Sequence, residues 1–198
     1  MNSLVLALVL GQGHTMDANG KKAGHSVPQS KTNSASKWVG KTAPVFETSD
    51  ADGKAVKLSQ FLKKPTVLVF IEKNCPCCKG GKPYFDRIQH FYGDVANVVG
   101  VVAGTPKEAH TWKSGNGAEF TVLSDTKKQV LAKYGVTSSL FTVLIGKDGK
   151  IVKAYPGYSA PMLKEITASI AKLTGIKNRN MDTRPAPAEF TSGCPFTM

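Results

Sequence analysis

The chain has 198 residues and is 41% hydrophobic, enough for one domain with a buried core plus tails. Four cysteines are too few for a disulfide-built scaffold, and three of them crowd into one tetrapeptide, which points to chemistry or metal. The formal charge of +12 comes from lysines scattered singly and in pairs, without an Arg-rich block, so the basic surface reads as solvated and no nucleic-acid partner is expected.

The N-terminus, MNSLVLALVLGQG, contains an apolar run from Leu4 to Leu10 of signal-peptide length with small residues behind it. Residues 1–13 are therefore read as a signal segment and the protein as exported (periplasmic or extracellular), although no Lys or Arg precedes the run. The run is too short to span a bilayer. From residue 14 to 37 the chain is Gly, Ser, Asn, Lys and Pro with few apolar residues, the composition of a flexible linker. Order is expected to begin near Trp38.

"TVLVFI" (66–71) is continuously apolar and β-branched, as in a central strand buried on both faces. The cluster Cys75-Pro76-Cys77-Cys78 follows at once, and then a helical pattern through Tyr84, Phe85, Ile88 and Phe91. "NVVGVVAG" (97–104) reads as a second buried strand, residues 106–112 as a helix, and "FTVLSD" (120–125) as a short strand. Asp125 is the expected N-cap of the helix "TKKQVLAKYG". Residues 140–157 form a hairpin around the Lys-Asp-Gly turn at 147–149. The last helix starts near Ser159, carries Met162, Ile166, Ile170 and Leu173 on one face, and ends at Gly175. This order specifies an α/β fold with a mixed central sheet flanked by helices and a small hairpin before Thr66. A redox domain would occupy 38–176, followed by an extended tail over 177–198 that delivers Cys194.

Cys75 and Cys78 stand in C-x-x-C spacing where a buried strand turns into a helix. Two such thiols can close a disulfide across the first helical turn, and the helix N-terminus with Lys73 and Lys79 favours a thiolate at Cys75. Glu72 reads either as a proton-transfer group or as an ordinary loop carboxylate. Trp38 and Trp112 read as packing residues.

These segments resemble the thioredoxin-fold redoxins, the group holding TlpA-like thiol-disulfide oxidoreductases and peroxiredoxin-like AhpC/TSA proteins. "GKTAPVFETSDADGKAVKLSQF" (40–61) is similar to the opening segment of such domains, and "KPTVLVFIEKNCPCC" to their strand and active-site run. Pro83 falls where thioredoxin-like proteins carry a helix proline, and "YGVTSSLFTVLIGKDGKIV" (134–152) resembles the approach to their C-terminal hairpin. The resemblance implies a thioredoxin-like fold and exchange with protein thiols or disulfides, with Cys75 as attacking thiolate and Cys78 as resolving thiol. A small-molecule peroxide is the alternative substrate. No cofactor is implied, since the chain has no phosphate-binding glycine loop.

Two departures stand out. The cis-proline of thioredoxin-like proteins is replaced at the substrate-docking position by Leu140, which should be trans. The Thr/Ser and Pro that precede a peroxidatic cysteine are Glu72 and Leu68 relative to Cys75, and no arginine lies in "TSSLF". Cys77 reads as a spare thiol, an accessory redox partner or a ligand; a Cys77–Cys78 bridge would strain its ring. Cys194 reads as an inert tail thiol or as a resolving group, and about twenty tail residues can reach roughly 60 Å. The third function left open is Cu(I) or Zn binding or delivery through Cys75, Cys77 and Cys78. The four histidines (His14, His25, His90, His110) show no paired ligand spacing.

Overall fold

The computed structural model describes residues 13–196, so the apolar run 4–10 lies outside the described residues. Strands β1 (His14–Met16) and β2 (Lys22–Ser26) and helix α1 (Gln29–Ser36) come first, then the hairpin β3 (Glu47–Asp50) and β4 (Ala55–Lys57). The central run is β5 (Thr66–Ile71), α2 (Pro76–Tyr92), β6 (Asn97–Val102), α3 (Pro106–Asn116), β7 (Thr121–Ser124) and α4 (Gln129–Lys133). It is followed by β8 (Thr142–Ile145), β9 (Ile151–Tyr155), α5 (Ala160–Thr174) and the two-residue β10 (Thr191–Ser192).

Seven strands form one sheet in the order β4-β3-β7-β6-β5-β8-β9. β5 pairs parallel with β6 and antiparallel with β8, so the sheet is mixed and β5 lies inside it. Every residue of β5 is buried, as its unbroken apolar run requires. Val67, Val69 and Ile71 face a core built with Ile88 and Tyr92 of α2, Trp112 of α3, and Ile166 and Ile170 of α5. Leu68 and Phe70 face the other layer, with Ala35 of α1 and Val130, Leu131 and Tyr134 around α4. The period-2 alternation of one strand thus divides the two helical layers.

Local signals set most boundaries. Thr105 and Glu108 form a capping box at α3, Ser159 Oγ accepts from Met162 N at α5, and Gly117 and Gly175 close these helices in left-handed geometry. Pro83 lies inside α2. Asp125 is a correction: α4 starts at Gln129 after Lys128, and the Asp125 carboxylate accepts instead from Leu131 N at 2.9 Å. Lys128 at φ +53° breaks the helix before Asp125 can cap it. Trp38 stacks on Tyr134 and Trp112 is buried, so both act in packing.

The larger correction concerns residues 14–37. Composition gave a tether, whereas this stretch carries β1, β2 and α1. β2 pairs antiparallel with both β1 and β10, making a second sheet from the two ends of the chain. Thr15 Oγ1 lies 2.5 Å from Thr191 Oγ1, and Lys31 Nζ donates to Ser138 Oγ at 2.8 Å. Small residues favour close approach: a Cβ on Gly24 would come within 2.5 Å of the Ser192 carbonyl oxygen. The order is tertiary, and no periodicity encodes it.

Candidate functional site

β5 delivers the chain to the surface end of the sheet, and Glu72–Asn74 turn it into α2. Cys75 is the N-cap of that helix, Pro76 occupies its first turn, and the Cys78 N–H donates to the Cys75 carbonyl at 3.1 Å. Helical spacing then sends Cys78 inward, where it is 1% exposed, and leaves Cys77 half-buried on the flank. Gly81, one turn on, packs against the Leu140 side chain; a Cβ there would lie 3.0 Å from Leu140 Cδ2.

Leu140 stands beside the cluster with φ +65° and a trans peptide. A proline at this position would lack the N–H that Leu140 donates to the Phe70 carbonyl at 2.7 Å. Holding a non-glycine residue in this left-handed region costs about 1–2 kcal/mol, offset by that bond and by full side-chain burial.

The tail closes over Cys75, leaving it 1% exposed. Ser139 N donates to the Cys194 carbonyl at 2.9 Å and Gly193 N to the Ser139 carbonyl at 3.0 Å, so the tail runs alongside the segment before Leu140. This brings Cys194 N–H to 3.0 Å from Cys75 Sγ, with Ser139 Oγ at 3.6 Å. Only glycine fits at 193, since a Cβ would lie 2.2 Å from Ser139 Oγ and 3.1 Å from Cys75 Sγ. Arg87 fastens the tail further back by donating to the carbonyls of Asp182 and Arg184 at 2.9 and 2.8 Å.

Cys75 is held far below the ordinary thiol range. The Cys77 thiol is the strongest contributor, then the Cys78 thiol, with the Cys194 thiol and backbone N–H adding to them against the opposing effect of burial. The partners move the other way. Cys77 is raised first by its bond to Cys75, Cys78 first by burial, and Cys194 is pushed up to about 11, first by burial and then by Cys75. The cluster therefore favours the thiolate at Cys75 and disfavours it at Cys77, Cys78 and Cys194. Lys73 does not stabilise it as the sequence suggested, because its ammonium pairs with Glu108 at 2.5 Å.

Cys75, Cys77, Cys78 and Cys194 all meet here as free thiols. Reasoning from sequence missed Ser139, Gly193 and His25. A glycine directly before a tail cysteine is a signal of close backbone approach; nothing local points to His25. His25 joins Cys77 and Cys194 on one side of the cluster, a donor set different from the Cys75, Cys77 and Cys78 set of the metal alternative.

A C-x-x-C pair at the strand-to-helix junction of this mixed sheet defines a thioredoxin-fold redoxin. The profile of the AhpC/TSA family matches residues 39–154. The thiol-disulfide oxidoreductase ResA of Bacillus subtilis is 36% identical over 120 residues, covering 60% of this chain and 67% of that one. The chloroplastic peroxiredoxin Q of Sedum lineare is 34% identical over 112 residues, covering 55% of this chain and 60% of its own. Among solved structures, the exposed lipoprotein thioredoxin of Streptococcus pneumoniae strain TIGR4 is 30% identical with a TM-score of 0.56, covering 66% of this chain and 100% of that one. The chain belongs to the AhpC/TSA family.

Proposed function

We propose that this protein is a thiol-disulfide oxidoreductase in which Cys75 attacks and Cys78 resolves. The observation that carries the reading is the C-x-x-C pair at the start of α2, with Cys75 at the N-cap, its Sγ 3.0 Å from the Cys194 N–H and its pKa lowered, and with Cys78 buried one turn on. The Cys75 thiolate attacks one sulfur of a partner disulfide, forming a mixed disulfide and expelling the other partner sulfur as a thiolate that takes up a proton. Cys78 then loses its proton and attacks Cys75 Sγ. The second partner thiolate leaves, and Cys75–Cys78 becomes the disulfide, two electrons having passed to the partner. The reverse sequence oxidises a partner dithiol. Because the tail covers Cys75, the partner's sulfur reaches it when residues 191–195 swing away, and Cys194 serves as an accessory thiol returning with them.

Among the described residues no helix is long and apolar enough to cross a membrane. The pneumococcal relative's description as exposed and the apolar run at 4–10 support an extracytoplasmic setting, with protein thiols as partners.

The likeness to peroxiredoxin Q favours a second reading, peroxide reduction. There the Cys75 thiolate takes the distal oxygen to become a sulfenic acid, the alcohol or water leaves, and a neighbouring thiol condenses with loss of water. Against it, all three arginines are engaged elsewhere: Arg87 on tail carbonyls, Arg179 on Asp94 and Arg184 on Asp182.

Cys75→Ser should abolish reduction of a model disulfide such as insulin, while Cys78→Ser should accumulate a mixed disulfide visible by mass spectrometry. Undiminished exchange in both variants would sink the assignment. Sulfenic acid trapped on Cys75 with peroxide turnover exceeding disulfide turnover would favour the second reading.

A further inference from the structure

A pocket of about 350 Å³ opens beside the exchange pair, lined by His14, Lys22, His25, Pro76, Cys77 and Cys194. Of the four soft or borderline donors among them, His25, Cys77 and Cys194 approach one another and come from three separate parts of the chain: β2, the first turn of α2, and the C-terminal tail. We propose that His25, Cys77 and Cys194 form a binding site for one Cu(I) ion, distinct from the Cys75–Cys78 exchange pair.

One ligand atom from each of the three residues lies within 4.8 Å of the other two. Ligands bonded at about 2.0–2.3 Å to a shared ion stand roughly 3.5–4 Å apart, so modest side-chain rotations close the set. This is also the one group of three or more His, Cys, Asp or Glu donors with such spacing among the described residues.

A second observation points into the same pocket. His25 Nδ1 is buried and has no hydrogen-bond partner. Leaving such an atom unsatisfied is destabilising, and coordination, or a hydrogen bond that orients the ring for coordination, would remove that cost. His14 stacks beside the ring at a centroid distance of 5.1 Å, and Lys22 lies on the same rim.

The donor set selects the ion. Two thiolates and an imidazole are soft enough to exclude Mg and Ca, and suit Cu(I) or Zn. Structural zinc closes a tetrahedral shell of four protein donors, whereas three donors satisfy Cu(I). Cys78 is buried on the inner face of α2, and the donor set that closes around His25 contains neither Cys75 nor Cys78. Cu(I) binds cysteine as the thiolate, so each ion bound displaces the protons of the Cys77 and Cys194 thiols to solvent. Apparent affinity should therefore fall by up to about 100-fold per pH unit as the solution is acidified below neutrality.

The test uses the full chain, reduced and anaerobic, titrated with Cu(I) against a chromophoric competitor. One equivalent should bind, with X-ray absorption showing two sulfurs and one nitrogen around copper. Cys77→Ser, Cys194→Ser and His25→Ala should each weaken binding about 10- to 100-fold or more. His25→Gln, which keeps the volume, should do the same with an unchanged thermal midpoint, separating ligation from folding of the terminal sheet. Cys78→Ser should bind copper as the parent does while losing disulfide exchange, so the two activities fail independently. Binding that survives in the Cys77, Cys194 and His25 variants, or disappears in Cys78→Ser, would overturn the site. Zn(II) held as tightly as Cu(I) would overturn the copper assignment.

Discussion

The sheet body and the terminal cap are held together by different physics. In the body, β5 buries six consecutive residues and two layers of helices cover it, so order follows from apolar area removed from water. In the cap, β1, β2 and β10 supply few large apolar side chains. Their order rests on backbone pairing, the Thr15–Thr191 hydroxyl contact and glycines that admit close approach at 24, 157 and 193. The body fixes where Cys75 and Cys78 stand, and the cap decides what surrounds them. The groups that surround Cys75 therefore depend on the cap.

The contrast predicts that a body cavity and a cap clash have separable effects. Phe85→Ala empties a fully buried position of α2 and should cost about 3–5 kcal/mol in denaturant unfolding, with loss of exchange following loss of fold. Gly193→Ala should lower global stability by about 1 kcal/mol or less, because the body does not depend on it. It should nonetheless displace the tail and speed alkylation of Cys75 several-fold at pH values where the thiolate is fully formed. Equal destabilisation by the two substitutions would show that body and cap are one cooperative unit.

The smallest effects separate the two sources proposed for the thiolate. Cys77→Ala removes the strongest donor to Cys75, a bond to a charged group worth about 1.5–3 kcal/mol, and should move the alkylation profile upward by about 1–2 pH units. Lys73→Gln should leave that profile in place and change stability by less than about 1 kcal/mol, since its partner Glu108 is a partly exposed carboxylate. The stability linkage has a definite sign. Folding depresses the Cys75 pKa, so its contribution is complete above the unfolded thiol value of about 8.5 and is lost as pH falls through the folded value. Cys77→Ala should shrink the pH window over which that contribution exists.

The body was legible because its signals are local and mutually consistent. The apolar run at 66–71, the Gly149 turn, the Ser159 cap and the Gly175 stop each carry their own reason, and each appears where the sequence indicates. The placement of Cys75 and Cys78 at a strand-to-helix junction was legible from their spacing and the strand before them. The cap was not, because His14, Gly24 and His25 acquire partners only when residues 191–194 lie alongside them. Asp125 shows the same limit on a smaller scale: a carboxylate in front of a helix looks like an N-cap, and the left-handed Lys128 that prevents it has no distinguishing side chain. Leu140 is intermediate. Its departure from proline was visible, but not that its N–H would find the Phe70 carbonyl.

The pairing of β2 with β10 also imposes an order of events on the growing chain. Its partners stand far apart in the sequence, so it closes one of the longest loops among the described residues and carries a large entropic cost of closure. The strands and helices of the body are complete in sequence before Thr191 is made, and domains form as units once their residues are available. The cap therefore forms last. Until then Cys75 lacks the Cys194 N–H and the roof above it, leaving its thiol open on a body that has already taken shape. Residues 191–194 thus convert an unguarded thiol into a sheltered thiolate only after the body that carries it has taken shape.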